Sequence, residues 1–166
     1  MRKILTATMA AAALAAAGAA SAAVVTTTFG VSATVLKTCS VAANPLAFGN
    51  YTPSTGALAA NTTVNVKCTK TTPFTVTLNG GSTTGGTISQ RLMTNGTDTL
   101  QYNLYTTAAF ATLFGDGTTG VGVAGVGNGL ASAVAVTVYG SLPDNAANQA
   151  VSTGAYTDTV NVTVTY

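Results

Sequence analysis

From about residue 22 onward, apolar and polar side chains alternate along the chain, and this period of two limits what the chain can fold into. The carboxyl-terminal segment shows the pattern most clearly. One face carries Tyr156, Val160, Val162, Val164 and Tyr166, whereas threonine and asparagine occupy the other. Successive side chains of a β-strand point to opposite faces, so this segment is predicted to be a half-buried strand.

The same alternation predicts four further strands. Their apolar positions are Val64, Val66 and Cys68; Phe74, Val76 and Leu78; Leu100, Tyr102 and Leu104; and Val134, Val136 and Val138. The dipeptides Asn79-Gly80, Asn95-Gly96 and Asp116-Gly117 accept the positive φ angles of tight turns. Residues 115–131 are glycine-rich, which predicts a long loop, and no amphipathic helix is evident after residue 22. Short strands joined by frequent turns predict an all-β sandwich.

The first 22 residues have the features of a secretory signal peptide. Arg2 and Lys3 precede an alanine-rich apolar run, and Ala20-Ser21-Ala22 supplies the small residues that a signal peptidase accepts. The alternative is a membrane anchor, although the run is barely long enough to span a bilayer and alanine partitions weakly into hydrocarbon. Cleavage after Ala22 leaves four cations and four aspartates, so the predicted mature chain has a formal charge of zero.

Composition argues against several classes of function. Only 6% of the 166 residues are charged, and histidine is absent. Nucleic-acid binding needs clustered Lys and Arg to neutralise phosphates, so no nucleic-acid partner is expected. Histidine is the commonest metal ligand and general base, and its absence favours a structural or binding protein, without metal or cofactor, over an enzyme.

The chain has two cysteines, Cys39 and Cys68. In an exported protein the oxidising environment favours a disulfide, and only one pairing within the chain exists. Two free thiols, or a bridge between two molecules, are the alternatives. Closing the loop would stabilise the fold by about 3–4 kcal/mol in the chain-entropy model.

A further alternating segment begins at the predicted mature terminus. One of its faces carries Val25, Thr27, Phe29, Val31, Ala33 and Val35. This segment is either the first strand of its own domain or a donor strand that leaves the domain and completes the sheet of a neighbour. Periodicity alone does not distinguish these two interpretations.

Read in order, the mature chain resembles the spore coat protein U-like family, which includes subunits of archaic, Csu-type chaperone–usher pili. The matching segments are Cys39-Ser40-Val41, residues 46–51, residues 64–68, residues 73–76, residues 91–93, residues 100–105, residues 114–117, residues 154–158 and residues 162–166. Phe114 stands where many relatives would have tryptophan, a replacement that is expected to keep an aromatic contact in the core.

The resemblance implies an immunoglobulin-like sandwich that lacks one strand, with residues 1–22 as signal peptide, 23–35 as donor extension and 36–166 as the pilin domain. A periplasmic chaperone would fill the vacant position first. At an outer-membrane usher, the extension of the next copy would replace it and produce a homopolymer. The implied role is a stalk subunit of a pilus on the cell surface, joined to a tip adhesin subunit and supporting adhesion and biofilm formation.

Two other functions stay open at this stage. One is a coat or matrix protein whose amino-terminal strand completes its own sandwich. The other is a secreted carbohydrate-binding module or hydrolase. The pattern G-x-G-x-x-G at residues 120–125 lacks the strand and helix that nucleotide binding requires, and Asp116 and Asp144 lie in turn-like contexts where aspartate caps its own backbone.

Overall fold

Residues 21–166, the part of the chain that the computed structural model describes, contain eight β-strands and one short helix. The strands are β1 (Cys39–Ala43), β2 (Leu58–Cys68), β3 (Pro73–Leu78), β4 (Arg91–Thr94), β5 (Thr99–Tyr105), β6 (Val123–Val126), β7 (Val134–Leu142) and β8 (Val162–Thr165). Helix α1 spans Ala146–Gln149. The chain divides into two units, Met1–Thr34 and Val35–Tyr166, and all eight strands belong to the second.

The strands form two sheets. One has five strands in the order β1-β2-β7-β5-β4, and the other has three in the order β6-β3-β8. All paired strands are antiparallel, and β2 and β7 share the longest register, from Leu58 opposite Leu142 to Val66 opposite Val134. The prediction of an all-β, immunoglobulin-like sandwich is confirmed.

The core lies between the sheets and is built from the alternating positions. Its buried members are Val64, Val66, Cys68, Phe74, Val76, Leu78, Tyr102, Leu104, Phe114, Val136 and Val138. Each of the four strands predicted from internal alternation therefore buries one face. Phe114 is fully buried, as the aromatic contact predicted at this position requires.

The prediction of an unbroken loop over residues 115–131 is wrong, because β6 lies within it and pairs with β3. Gly125 is opposite Phe74, and a Cβ at position 125 would lie 2.8 Å from one carbon of the phenylalanine ring. The glycine allows the edge strand to lie directly on the aromatic side chain. In this segment glycine therefore permits close packing, whereas the sequence was interpreted as a loop.

Helix α1 depends on capping rather than on an apolar face. The Asn145 side chain accepts a hydrogen bond from the Asn148 backbone N–H, at 2.9 Å. The buried Asn148 side chain in turn bonds both backbone groups of Gln101, which fixes the helix on β5. Its four residues are too few to show an amphipathic period.

The predicted signal peptide lies outside the described residues, apart from Ser21 and Ala22. Within residues 21–166, no helix has the length and apolar character needed to cross a membrane.

Candidate functional site

Strands β1 and β8 run in opposite directions along neighbouring edges of the two sheets. Cys39 lies opposite Cys68, where β2 ends, and a short connection leads to Pro73, where β3 begins. Thr165 of β8 lies opposite Thr75, close to that same end of the sandwich. We call this the disulfide end. Because β1 starts there and β8 finishes there, a segment placed between them would be parallel to one and antiparallel to the other.

Each of these two strands is paired on one side only within the described part of the chain, β1 with β2 and β8 with β3. Their other edges carry backbone N–H and C=O groups that are available to a further strand. Since β1 and β8 also approach each other, the free edges form the two rims of one groove.

A cavity of about 440 Å³ opens between these rims and reaches the core. Its floor is largely apolar and includes Val64, Leu78, Leu104 and Val138. The rims contribute Ala43, Asn44, Pro45, Leu46 and Phe48 on the β1 side, and Tyr156, Thr157, Asp158, Thr159, Val160 and Val162 on the β8 side. An extended segment with apolar side chains on one face matches this shape and chemistry, because it would pair with the rims and cover the floor.

The groove continues into a second cleft of about 780 Å³. Residues 46–53 form one wall and residues 151–156 the other, and Leu46, Phe48 and Tyr156 line both spaces. The Asp144 carboxylate holds the first wall in place by accepting hydrogen bonds from the Tyr51 hydroxyl at 2.6 Å and the Gly56 N–H at 2.8 Å. Asp144 thus fixes the neighbouring loop of residues 51–56, whereas the sequence analysis expected it to cap its own backbone.

The rim that precedes β8 is held by a few separate backbone and side-chain hydrogen bonds in place of a continuous ladder. Thr157 exchanges two backbone hydrogen bonds with Thr94. Asp158 accepts from the backbone N–H groups of Ser82 and Thr83, at 2.8 and 3.0 Å, and from the Tyr102 hydroxyl at 2.6 Å. These contacts hold the Tyr156 and Val160 side chains along the groove.

The same contacts set the ionisation of Asp158 and Tyr102. Burial opposes ionisation of Asp158, but the hydrogen bonds from Tyr102 and Ser82 outweigh it, so the pKa of this carboxyl is below its usual value. Burial and the neighbouring Asp158 carboxylate raise the pKa of Tyr102. At neutral pH, therefore, Asp158 is a carboxylate and Tyr102 donates its hydroxyl hydrogen to it.

The predicted disulfide joins Cys39 to Cys68, and the two Cα atoms are 4.1 Å apart. It links the first residue of β1 to the last residue of β2. The pairing predicted within the chain is confirmed, and the structure places the bond beside the groove, at the start of one rim.

The regular strand at the carboxyl terminus is shorter than the segment over which apolar and polar residues alternate. Regular pairing covers Val162–Thr165, whereas Tyr156 and Val160 precede it and Tyr166 follows it. Tyr156, Val160, Val162 and Val164 are nevertheless half-buried, and the residues between them are mostly exposed. Asp158 is also half-buried, and it lies at an alternate position between Tyr156 and Val160.

Residues 21–38 carry no assigned strand. Of the predicted donor positions, Val25, Phe29, Val31 and Val35 are 93, 86, 85 and 84% exposed, and Thr27 and Ala33 are also exposed. Few soluble proteins expose so many large apolar side chains in one short segment. Whether this segment acts as a donor strand stays a prediction.

Sequence reasoning missed Arg91, Asp158 and Asn148 as organising residues. Arg91 and Asp158 lie in two of the segments that carry the family resemblance. Nothing in a single sequence, however, predicts that a guanidinium will be buried or to which oxygens it will donate hydrogen bonds. Among the described residues, no group of three His, Cys, Asp or Glu side chains could hold a metal ion.

The Spore Coat Protein U domain model matches residues 25–163. The chain belongs to this family. The match covers most of the chain, including the groove and nearly all of the alternating amino-terminal segment. A comparison with curated proteins gives no match.

Family membership agrees with a structural comparison. One similar solved structure is the chaperone–tip adhesion subunit pre-assembly complex CsuC–CsuE from archaic chaperone-usher Csu pili of Acinetobacter baumannii. The TM-score is 0.54 at 22% identity, over 80% of this chain and 40% of the matched chain. At this identity the likeness concerns the fold, and the chain spans less than half the length of that relative.

Proposed function

We propose that this protein is a structural stalk subunit of a chaperone–usher pilus and polymerises by donor-strand exchange. The observation that carries the proposal is the apolar groove between the edges of β1 and β8 that have no partner strand within residues 21–166. The family of this chain, and the fold that it shares with the Csu complex, support the same assignment. The proposal divides the chain into a signal peptide at residues 1–22, a donor extension at 23–35 and a pilin domain at 36–166.

The donor extension has the properties that the groove requires. Its alternate positions place Phe29, Val31 and Val35 on one face, and an extended segment from Val25 to Val35 is about 33 Å long at 3.3 Å per residue. Residues 156–166, along the β8 rim, span the same number of positions. Burial of the three large side chains would contribute about 5–9 kcal/mol.

A stalk position needs one acceptor and one donor in each copy, and this chain carries a candidate for both. The groove of one copy would receive the extension of the next, so the contact is head-to-tail and produces an open filament. The proposed partners are further copies of the chain, a periplasmic chaperone, an outer-membrane usher and a tip adhesin subunit. The filament would lie outside the cell and support surface adhesion and biofilm formation.

Deletion of residues 23–35 from the mature chain tests the proposal. The truncated protein is expected to co-purify with the chaperone, because its groove is intact, but to form no fibres in electron micrographs. The full mature chain, expressed with the same chaperone and usher, is the control. Fibres of normal length from the deletion variant would overturn the proposal. A stable monomer from the full chain without any chaperone would instead indicate a self-completed coat or matrix protein.

A further inference from the structure

We infer that a polar cleft on the outer face of the five-stranded sheet, which we call the outer cleft, binds neutral carbohydrate. Its volume is about 400 Å³, within the range of small-molecule sites. The side chains that give it its polar character are Ser89, Gln90, Gln101, Asn103, Tyr105 and Ser141. The inference goes beyond the proposed pilus role and does not depend on it, because the outer cleft belongs to a single copy of the chain.

The outer cleft lies on the side of β5 that faces away from the groove between β1 and β8. Side chains alternate along a strand, and those of Tyr102 and Leu104 belong to the core and line the groove. Asn103 and Tyr105 therefore lie on the opposite face, with Ser141 of β7 opposite Asn103. A ligand bound on this face would leave the groove free.

The floor of the outer cleft offers side chains to a ligand rather than backbone groups. Strand β5 lies between β7 and β4 in its sheet. The Leu104 C=O accepts a hydrogen bond from the Phe114 N–H, and both backbone groups of Gln101 bond the Asn148 side chain. A peptide that adds a strand needs an open sheet edge, which this inner strand does not provide. Recognition at the outer cleft is therefore a matter for side chains.

The outer cleft is also uncharged. None of the described residues that line it is Lys, Arg, Asp or Glu. Arg91 bonds Asn103, but its guanidinium is fully buried and its other hydrogen bonds go to backbone oxygens. A phosphate, a carboxylate or a cation would lose hydration in the outer cleft without gaining a partner of opposite charge. The chemistry therefore favours a ligand that is polar and neutral.

Hydrogen bonds hold the amides of the floor in place before a ligand binds. The Asn103 side chain accepts from Arg91 at 3.2 Å and donates to the Ser89 C=O at 2.6 Å. The Gln101 side-chain oxygen accepts from the Asn145 amide at 3.0 Å, which leaves the Gln101 side-chain N–H groups as donors. Side chains that are already fixed lose little freedom when a ligand binds, and this lowers the cost of association.

Three further groups can hydrogen-bond a ligand. Within residues 21–166, the side-chain amide of Gln90 and the hydroxyls of Tyr105 and Ser141 bond no other protein group, and the bonded side chains of the outer cleft are those of Asn103 and Gln101. Tyr105 also supplies an aromatic ring, on which Phe110 packs edge-to-face with the ring centroids 5.4 Å apart. Amides and hydroxyls grouped beside an aromatic ring suit a sugar, whose C–H groups pack on the ring while its hydroxyls donate and accept.

One outer cleft is expected to bind weakly. A hexose has about 12 non-hydrogen atoms, and at the efficiency of ordinary small ligands its dissociation constant would be about 1 mM. Gln101 and Tyr105 are about 13 Å apart along β5 at 3.3 Å per residue, which leaves room for a short oligosaccharide. In a filament of the proposed kind, many copies acting on one polysaccharide would raise the apparent affinity.

Saturation-transfer NMR on the mature chain tests the inference, because it detects weak ligands of single copies and of fibres alike. The probes are neutral oligosaccharides of glucose, mannose and galactose, an acidic oligosaccharide of glucuronic acid and an unstructured peptide. We expect transfer to at least one neutral sugar, with a dissociation constant that is the same at low and physiological salt, since no ion pair forms. Transfer to none of the neutral sugars, or a dissociation constant that rises steeply with salt, would overturn the inference. Transfer to the peptide alone would assign the outer cleft to a protein partner and would overturn it too.

Variants of the aromatic ring test whether binding occurs at the outer cleft. Tyr105→Ala is expected to weaken binding about tenfold, whereas Tyr105→Phe keeps the ring and should weaken it only about threefold. Tyr139→Ala is the matched control, because Tyr139 lies opposite Tyr105 on the same sheet face and is also half-buried, yet does not line the outer cleft. Its affinity should equal that of the wild type. Equal losses in Tyr105→Ala and Tyr139→Ala, or a loss in neither, would contradict the inference.

A polar variant keeps the test decisive if Tyr105→Ala does not fold, which thermal unfolding would show. Gln90 is exposed and its side chain bonds no other protein group within residues 21–166, so Gln90→Ala should fold normally. It is expected to weaken sugar binding about threefold through loss of one hydrogen bond. Wild-type affinity in both Gln90→Ala and Ser141→Ala would place the sugar elsewhere and overturn the inference. Because the assay reads binding by each copy, its outcome is independent of whether residues 23–35 act as a donor.

Discussion

At the scale of single residues, Arg91 shows how a charge can be held inside this sandwich. Its side chain is fully buried and donates to four uncharged oxygens, on Asn79, Ile88, Asn103 and Phe114. Burial lowers the pKa of the guanidinium, and the nearby Tyr102 and Asp158 offset this only in part, so the pKa is lower than its usual value. The side chain connects the loop after β3, strand β5 and the Phe114 segment.

Replacing Arg91 with methionine is expected to destabilise the mature chain by about 3–5 kcal/mol, since several buried oxygens lose their donor. Arg91→Lys keeps the charge but cannot reproduce the planar fork, so it is expected to cost nearly as much. Urea unfolding gives both free energies. A loss below about 1 kcal/mol in the methionine variant would show that the network adds little to stability.

Asp144 is expected to make the stability of the fold depend on pH in the acidic range. Hydrogen bonds lower the pKa of its carboxyl from 3.8 to about 2, and the bond from the Tyr51 hydroxyl has the largest effect. A carboxyl whose pKa is lowered on folding stabilises the protein fully above its unfolded pKa, and this contribution is lost as pH falls through the folded value. The relevant window therefore runs from about pH 4 down to about pH 2.

Asp144→Asn is expected to be less stable than the wild type at pH 7, and the two stability curves should converge between pH 4 and pH 2. Tyr51→Phe removes one donor to the carboxylate and should give a smaller loss over the same window. Thermal unfolding at a series of pH values measures both. Parallel curves for the wild type and Asp144→Asn would show that this carboxylate is not the acid-sensitive group.

At the scale of elements, β6 is the strand that the sequence analysis did not predict. Its four residues include one glycine, and glycine flanks it on both sides at Gly122 and Gly127. A Cβ at Gly122 or Gly127 would also lie within 3 Å of a neighbouring atom. The composition of a loop is thus compatible with a strand when the strand must lie very close to its neighbours.

Gly125→Val is expected to destabilise the chain by about 1–3 kcal/mol, because the new side chain would overlap the Phe74 ring. Ala124→Val is the matched control, since Ala124 lies on the same strand and is exposed. Denaturant unfolding compares the two. Equal stability of both variants would mean that β6 shifts without cost and that its contact with Phe74 is loose.

The rim before β8 illustrates a different limit of sequence reasoning. Its alternation correctly predicts which side chains are half-buried, but the regular strand begins only at Val162. Burial of alternate side chains needs an extended backbone, whereas a ladder also needs a neighbouring strand in register. For residues 156–161 the described chain supplies only separate hydrogen bonds, such as those of Asp158 and Thr157, and no neighbouring strand in register.

At the scale of the whole molecule, the proposed assembly depends on one face of the amino-terminal segment. Phe29→Asp is expected to weaken or abolish fibre formation, because a charge would be buried in the apolar groove of the next copy. Thr28→Asp places the same charge on the opposite face and should leave fibres largely intact. Electron microscopy and resistance of fibres to denaturant measure the effect. Equal behaviour of the two variants would contradict the assigned face.

The sequence by itself determined the class of fold, the disulfide and the buried positions of the main strands. Each of these depends on local alternation, or on a choice among very few partners, as with two cysteines. Only the tertiary structure decided that Gly125 lies in a strand, that Arg91 is buried and that β1 and β8 border an open groove. These features depend on which distant segments become neighbours, and a side chain's surroundings are determined by those neighbours rather than by its own position in a local pattern.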